Sequence, residues 1–145
     1  MRWAPFLVTS CFLGALSGCG ETPSFVPTKV APTGGSLVRL PKDRGFVALK
    51  TESPAKPGVG KGRNRPLSVV AYFYKSDGST PMSPAPTEVV FKQGEGQNAK
   101  PINLVPDASD PNRFASDPGH YPRGLQGTIR AKIDGESVEE SFSSQ

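Results

Sequence analysis

The sequence predicts an all-β fold. Three observations carry that reading. Sixteen prolines and sixteen glycines make up roughly a fifth of the 145 residues, and prolines in that number stop helices. Several short stretches alternate apolar and polar residues with a period of two, the mark of a half-buried strand. No window of about eleven residues keeps a helical apolar period clear of Pro or Gly.

The strands follow in order. "SLVRL" from Ser36 to Leu40 is a short, imperfect alternation, and "PKDRG" after it makes a turn. "GFVALKT" is a second short strand, with Phe46 and Ala48 assigned to the core face and Val47 and Leu49 to the other. A long Pro, Gly and basic loop fills Glu52 to Pro66. "LSVVAYFYKSDG" is rich in β-branched and aromatic residues. Its apolar character on both faces marks a central strand, and Asp77-Gly78 closes it with a turn.

"TEVVFKQ" places Val89 and Phe91 on one side, and "KPINLV" does the same for Ile102 and Leu104. "NRFAS" is a brief extended piece. "GLQGTIRAKIDG" has the cleanest alternation, with Ile129, Ala131 and Ile133 pointing one way and Thr128, Arg130 and Lys132 the other. Asp134-Gly135 is a strong hairpin signal, because a type I′ turn needs positive φ at both central positions. "ESVEESF" then returns with Val138 and Phe142 inward. Its outward acids, Glu139 among them, are set to pair with Arg130 and Lys132.

About seven short strands at this spacing predict a single small immunoglobulin-like β-sandwich, with a small barrel as the alternative. The predicted inward set is Leu37, Phe46, Ala48, Val69, Ala71, Phe73, Val89, Phe91, Ile102, Leu104, Ile129, Ala131, Ile133, Val138 and Phe142. Each large member contributes about 1.5–3 kcal/mol on burial.

The first residues read differently. One positive charge, Arg2, precedes an apolar stretch from Ala4 to Leu16, and small residues follow. That is the layout of a secretory signal peptide. The run falls well short of the roughly twenty residues that span a bilayer. Leu16-Ser17-Gly18-Cys19 then resembles the lipobox of bacterial lipoproteins. The resemblance implies cleavage before Cys19 and a diacylglyceryl group on its thiol. One acyl chain holds a protein to a membrane only marginally; lipoproteins of this type carry two or three. The expected organisation is a signal peptide over 1–18, an acylated N-terminus and Pro/Thr/Gly tether over 19–35, and the sandwich over 36–145. The expected location is the cell envelope, exported and held by lipid in a periplasmic or outer-membrane leaflet.

Cysteine supply bounds the chemistry. Cys11 lies in the segment to be removed and Cys19 would be lipidated. No thiol would remain for a disulfide framework or a cysteine metal site. The net charge is +4, and a loss of Arg2 leaves about +3. That is not the charge density of a nucleic-acid binder.

The mature region also resembles small lipoproteins that recur in planctomycete-type genomes. The likeness rests on "TGGSLVRLPKDRGFVAL", "VVAYFYKSDGSTPMSPAPTEVVF", "RFAS" and "LQGTIRAKIDGESVEESF". Members generally have no assigned activity. Many carry His-Gly-Gly where this chain has Thr33-Gly34-Gly35, and the missing histidine weakens any metal role that the resemblance would imply.

Candidate sites are few. His120 is the single histidine, set in the loop "DPGHYP". Zinc and copper sites want several nitrogen or sulfur ligands. No G-x-S-x-G elbow occurs, so no serine-histidine-acid triad is read. Asp107, Asp110, Asn112 and Asp117 cluster in "PDASDPNRFASDPG". Oxygen ligands on a loop can hold calcium, but the D-x-D-x-D-G spacing is absent and such residues are ordinary turn formers. "GVGKG" lacks the spacing of a phosphate loop. No catalytic residue, cofactor or metal site is therefore assigned. The basic run "KPGVGKGRNRP" supplies Lys56, Lys61, Arg63 and Arg65, a loop suited to anionic lipid headgroups or an acidic surface polymer, or simply to solvent. "STPMSPAPTE" reads as a stiff connection. The function expected is a non-enzymatic structural or interaction module of the envelope, its partners the membrane and an envelope protein or anionic surface. The alternative is an accessory domain for a small ligand or metal ion.

Overall fold

A computed structural model describes residues 30–53 and 65–143. It is all-β, with nine strands: β1 (Ser36–Arg39), β2 (Phe46–Glu52), β3 (Ser68–Tyr74), β4 (Thr87–Gln93), β5 (Lys100–Asn103), β6 (Val105–Pro106), β7 (Arg113–Ala115), β8 (Gln126–Ile133) and β9 (Glu136–Ser143). Two single-turn 3₁₀ segments, Pro41–Asp43 and Gly96–Asn98, punctuate them. Among the described residues no helix is long and apolar enough to cross a membrane.

The strands form two antiparallel sheets, β1-β2-β3-β7-β6 and β5-β4-β8-β9. With β1 set aside, β2-β3-β7-β6 has the order A-B-E-D of an immunoglobulin-like domain, and β5-β4-β8-β9 the order C′-C-F-G. β1 is an extra strand on the outer edge of β2. Residues 100–106 are a single extended run that changes sheets. Its first part pairs with β4, its last part with β7, and the backbone N–H of Leu104 bonds the Val89 carbonyl at 2.9 Å between them. The two strands beyond the expected seven are thus an added edge and the second half of a switched strand.

Why the chain closes this way follows from its apolar positions. Val69, Ala71 and Phe73 on β3 meet Val89 and Phe91 on β4, and Ile129, Ala131 and Ile133 on β8, with Val138 and Phe142 on β9. Phe114 of β7 lies edge to face against Phe73, ring centroids 5.5 Å apart. Leu40, Met82 and Leu125, all from connections, complete the same core. The Asp134-Gly135 hairpin forms with φ of 51° and 83°, as a type I′ turn requires.

The predicted phase of β1 and β2 is corrected. Val47 and Leu49 fill the main core, while Leu37 and Ala48 pack on the outer face with Ala31 and Tyr74, and Phe46 beside them. Register decides this. Val47 lies opposite Phe73 and Leu49 opposite Ala71, and directly opposed residues share a face. Once β3 turns Phe73 and Ala71 inward, β2 has no choice. Phe46 and Ala48 look inward-facing in sequence because the outer face is covered too.

The cover is the chain just before β1. Val30 bridges Ser36, and Gly34 closes a turn onto the Ala31 carbonyl at 2.8 Å. Ala31 is buried, and the Thr33 hydroxyl lies 2.6 Å from that of Tyr74. Lys50 donates to the Thr33 carbonyl. Residues 30–35, read from sequence as the end of the tether, are part of the body.

Candidate functional site

The sequence-derived candidates divide sharply. Cys19, Lys56, Lys61 and Arg63 lie outside the described residues. Arg65 is exposed where the chain re-enters the description, just before the Leu67–Gly119 bridge. His120 is exposed in the loop on the other side of that bridge. Nearby, Tyr121 packs on the core and donates its hydroxyl to the Asp117 carbonyl at 3.3 Å. Immunoglobulin-like domains pin the same corner with a back-reaching tyrosine.

The four acidic and amide residues after Pro106 do not converge. The Asp107 carboxylate accepts from the Ser109 N–H at 2.9 Å and its hydroxyl at 2.7 Å. Asp110 accepts from the Asn112 N–H at 3.0 Å. These are Asx turns that shape the connection from β6 to β7. Among the described residues no three His, Cys, Asp or Glu side chains gather as a metal would need.

A charged network that sequence reasoning missed lies on the outer face of the five-stranded sheet. Arg113 donates to Glu52 at 2.8 Å and to Asp107 at 2.7 Å. Lys50 pairs with Glu52 at 2.7 Å and sits 5.1 Å from the Tyr72 ring centre. Each charged head is only about a quarter exposed. Burial pushes the Glu52 carboxyl up, but the bonds from Lys50 and Arg113 outweigh it and hold the group below its ordinary range. The bond to Glu52 raises the Arg113 guanidinium in turn. The network is closed: every charge in it faces an opposite charge. It ties β2, β7 and the run after β6 together.

A polar cavity lies at one end of the sandwich, where the β1–β2, β3–β4 and β8–β9 connections meet. About 300 Å³ is lined by Asp43, Arg44, Lys75, Ser76, Met82, Ser83, Pro84, Ile133 and Asp134. In immunoglobulin-like topology this is the end of the B–C and F–G loops. Its rim is braced by ion pairs. Arg44 donates to Asp134 at 3.1 Å and to Glu136 at 2.7 Å; Lys42 reaches Glu136 at 3.5 Å; Arg39 holds Asp43 at 2.7 Å. The charges of Lys42 and Arg44 hold the Glu136 carboxyl below its ordinary range. Lys42 and Asp43 are consecutive non-glycine residues at φ of 56° and 55°, a left-handed conformation that costs free energy at each.

The β3–β4 loop beside it is equally fixed. Asp77 accepts from the Thr80 hydroxyl and from the backbone N–H groups of Ser79 and Thr80 at 2.9 and 2.8 Å. Those bonds pull its carboxyl down to about 2. Lys75 and Thr80 bond through their backbones at 2.8 Å, and Met82 N–H reaches the Phe73 carbonyl at 3.0 Å.

A second, more apolar groove of about 440 Å³ opens at the side, where the switching strand leaves Leu104, Pro106 and Phe114 facing Pro86, Val89 and Val90. Val105, between Leu104 and Pro106 in the chain, is 63% exposed. The bulge in β4, with Glu88 at φ 50°, shapes its floor.

No known protein family, curated protein or solved structure matches this chain. Residues as far apart in sequence as Arg44, Lys75 and Asp134 form the end cavity, and only the Asp134-Gly135 turn was a usable signal for it.

Proposed function

We propose that this protein is an exported, lipid-anchored immunoglobulin-like module of the cell envelope that works by binding rather than by catalysis. The observation that carries the reading is Leu16-Ser17-Gly18-Cys19 directly after the apolar run Ala4 to Leu16. Thioether-linked acyl chains on Cys19 would hold the body at a membrane, at about 0.8 kcal/mol for each buried methylene. Mass spectrometry of the mature protein from a bacterial host tests the anchor. The expected N-terminus is Cys19 carrying two or three acyl chains. A bare thiol there, or an intact leader, refutes it.

The basic run is the proposed second contact with the membrane. Lys56, Lys61, Arg63 and Arg65 put four positive charges within ten residues of sequence, and near an anionic surface each can contribute about 1 kcal/mol. Replacing these four with Ser or Gln should weaken binding of unacylated protein to anionic vesicles. Unchanged binding removes the contact.

The end cavity favours a second reading, an accessory domain that takes a small ligand. Its volume lies at the lower end of small-molecule sites.

A further inference from the structure

We propose that the end cavity binds a small organic acid, its carboxylate held by Lys75 with the Ser76 and Ser83 hydroxyls, its body resting on Pro84, with Met82 and Ile133 behind. The inference rests on the small-ligand reading above and adds the ligand's chemistry.

Charge pairing around the cavity leaves Lys75 over. Arg44 is matched by Asp134 and Glu136, Lys42 by Glu136, and Arg39 by Asp43. Both carboxylates of the lining are therefore already turned to cations. The Lys75 ammonium has no carboxylate or hydrogen-bond acceptor of its own among the described residues. The two serine hydroxyls are uncommitted in the same sense and line the same cavity. A group that offers acceptors and one negative charge satisfies all three, and bonds to a charged partner are the stronger kind.

The floor sets the rest of the ligand. Met82 and Ile133 back the cavity as core residues, and the exposed Pro84 ring beside them presents carbon to it. A bare inorganic anion would leave that ring facing water, whereas a carboxylate on a compact carbon body covers it. About 300 Å³ admits a body the size of one sugar ring or amino acid. The backbone around the cavity is already set. The Asp77-centred turn and the bond from the Lys75 N–H to the Thr80 carbonyl hold it on one side, and the Arg44 ion pair holds Asp134 on the other. Binding to a preformed site saves the free energy of ordering it.

Calorimetric titration of the full chain with glucuronate, glucose and inorganic phosphate tests the proposal. Glucuronate should bind in the millimolar range or tighter, with glucose and phosphate each about tenfold weaker or worse. Lys75→Gln should weaken glucuronate about tenfold and bring it level with glucose. Lys132→Gln, on the outer face of the other sheet, should leave it unchanged, and both variants should keep the parent's circular dichroism. Equal binding of glucose and glucuronate, or full glucuronate binding by Lys75→Gln, overturns the carboxylate assignment while the small-ligand reading stands. Phosphate binding as tight as glucuronate overturns the organic body. Absence of binding by all three probes overturns this inference and the small-ligand reading together.

Discussion

Asp77 shows how one side chain fixes a loop. Its carboxylate takes three donors from Ser79 and Thr80. A folded-state value of about 2 lies below the ordinary 3.8, so ionised Asp77 favours the folded chain. That contribution is complete above about pH 4 and disappears as the pH falls through 2. Asp77→Ala should therefore lower the urea midpoint at pH 7, with the gap to the parent closing between pH 4 and pH 2. Arg113 acts through pairing instead. Arg113→Ala leaves Glu52 with Lys50 alone and Asp107 with Ser109 alone, and should cost about 1 kcal/mol in denaturant unfolding. Combined with Glu52→Gln, the loss should be less than additive, because both changes break one bond. Asp77-Gly78 was readable as a turn from its residues. The Arg113 network was not, since its members come from three separated segments and only strand register aligns them.

Elements owe their geometry to a few backbone positions. In β8, a Cβ on Gly127 would lie 1.9 Å from the Lys92 carbonyl oxygen of β4. At Gly45, where φ is 109°, it would lie 2.1 Å from the Tyr74 carbonyl oxygen. Neither obstacle is a flexible side chain, so strands would have to part. Gly127→Ala should cost about 2 kcal/mol or more, measured as a fall in thermal midpoint. Gly96→Ala faces open space at φ 64° and should cost about 1–2 kcal/mol, for its backbone conformation alone. At this scale the sequence spoke clearly for β8 and β9. Their alternation put Ile129, Ala131, Ile133, Val138 and Phe142 inward, and Arg130 meets Glu139 at 2.7 Å across the hairpin. Lys132 instead pairs with Glu88 of β4, at 3.1 Å. Alternation failed for β2, because its first half is covered on both sides and apolar at four successive positions, Phe46 to Leu49, so its phase comes from its neighbour.

The whole sandwich has to keep its edges from pairing with other chains. β9 is the longest edge strand, with eight residues. Glu140 lies opposite the core residue Ile129, so it occupies an inward phase between Val138 and Phe142. An inward-pointing charge on an edge resists strand addition, since a second strand would trap it. Glu140→Val should give an apparent mass in sedimentation that climbs with concentration more steeply than the parent's. An unchanged profile would assign protection of that edge to something else. The sequence by itself determined that this chain makes strands, where most of them lie, how the last hairpin turns and which residues resemble a lipid-attachment signal. All of these are written in local periods and short motifs. Only the tertiary structure decided which face of β2 is core, that residues 100–106 serve both sheets, that residues 30–35 belong to the body, and that Lys75 lines one cavity with Arg44 and Asp134. Each of those depends on register and on contacts between segments far apart in the chain, which no local pattern encodes.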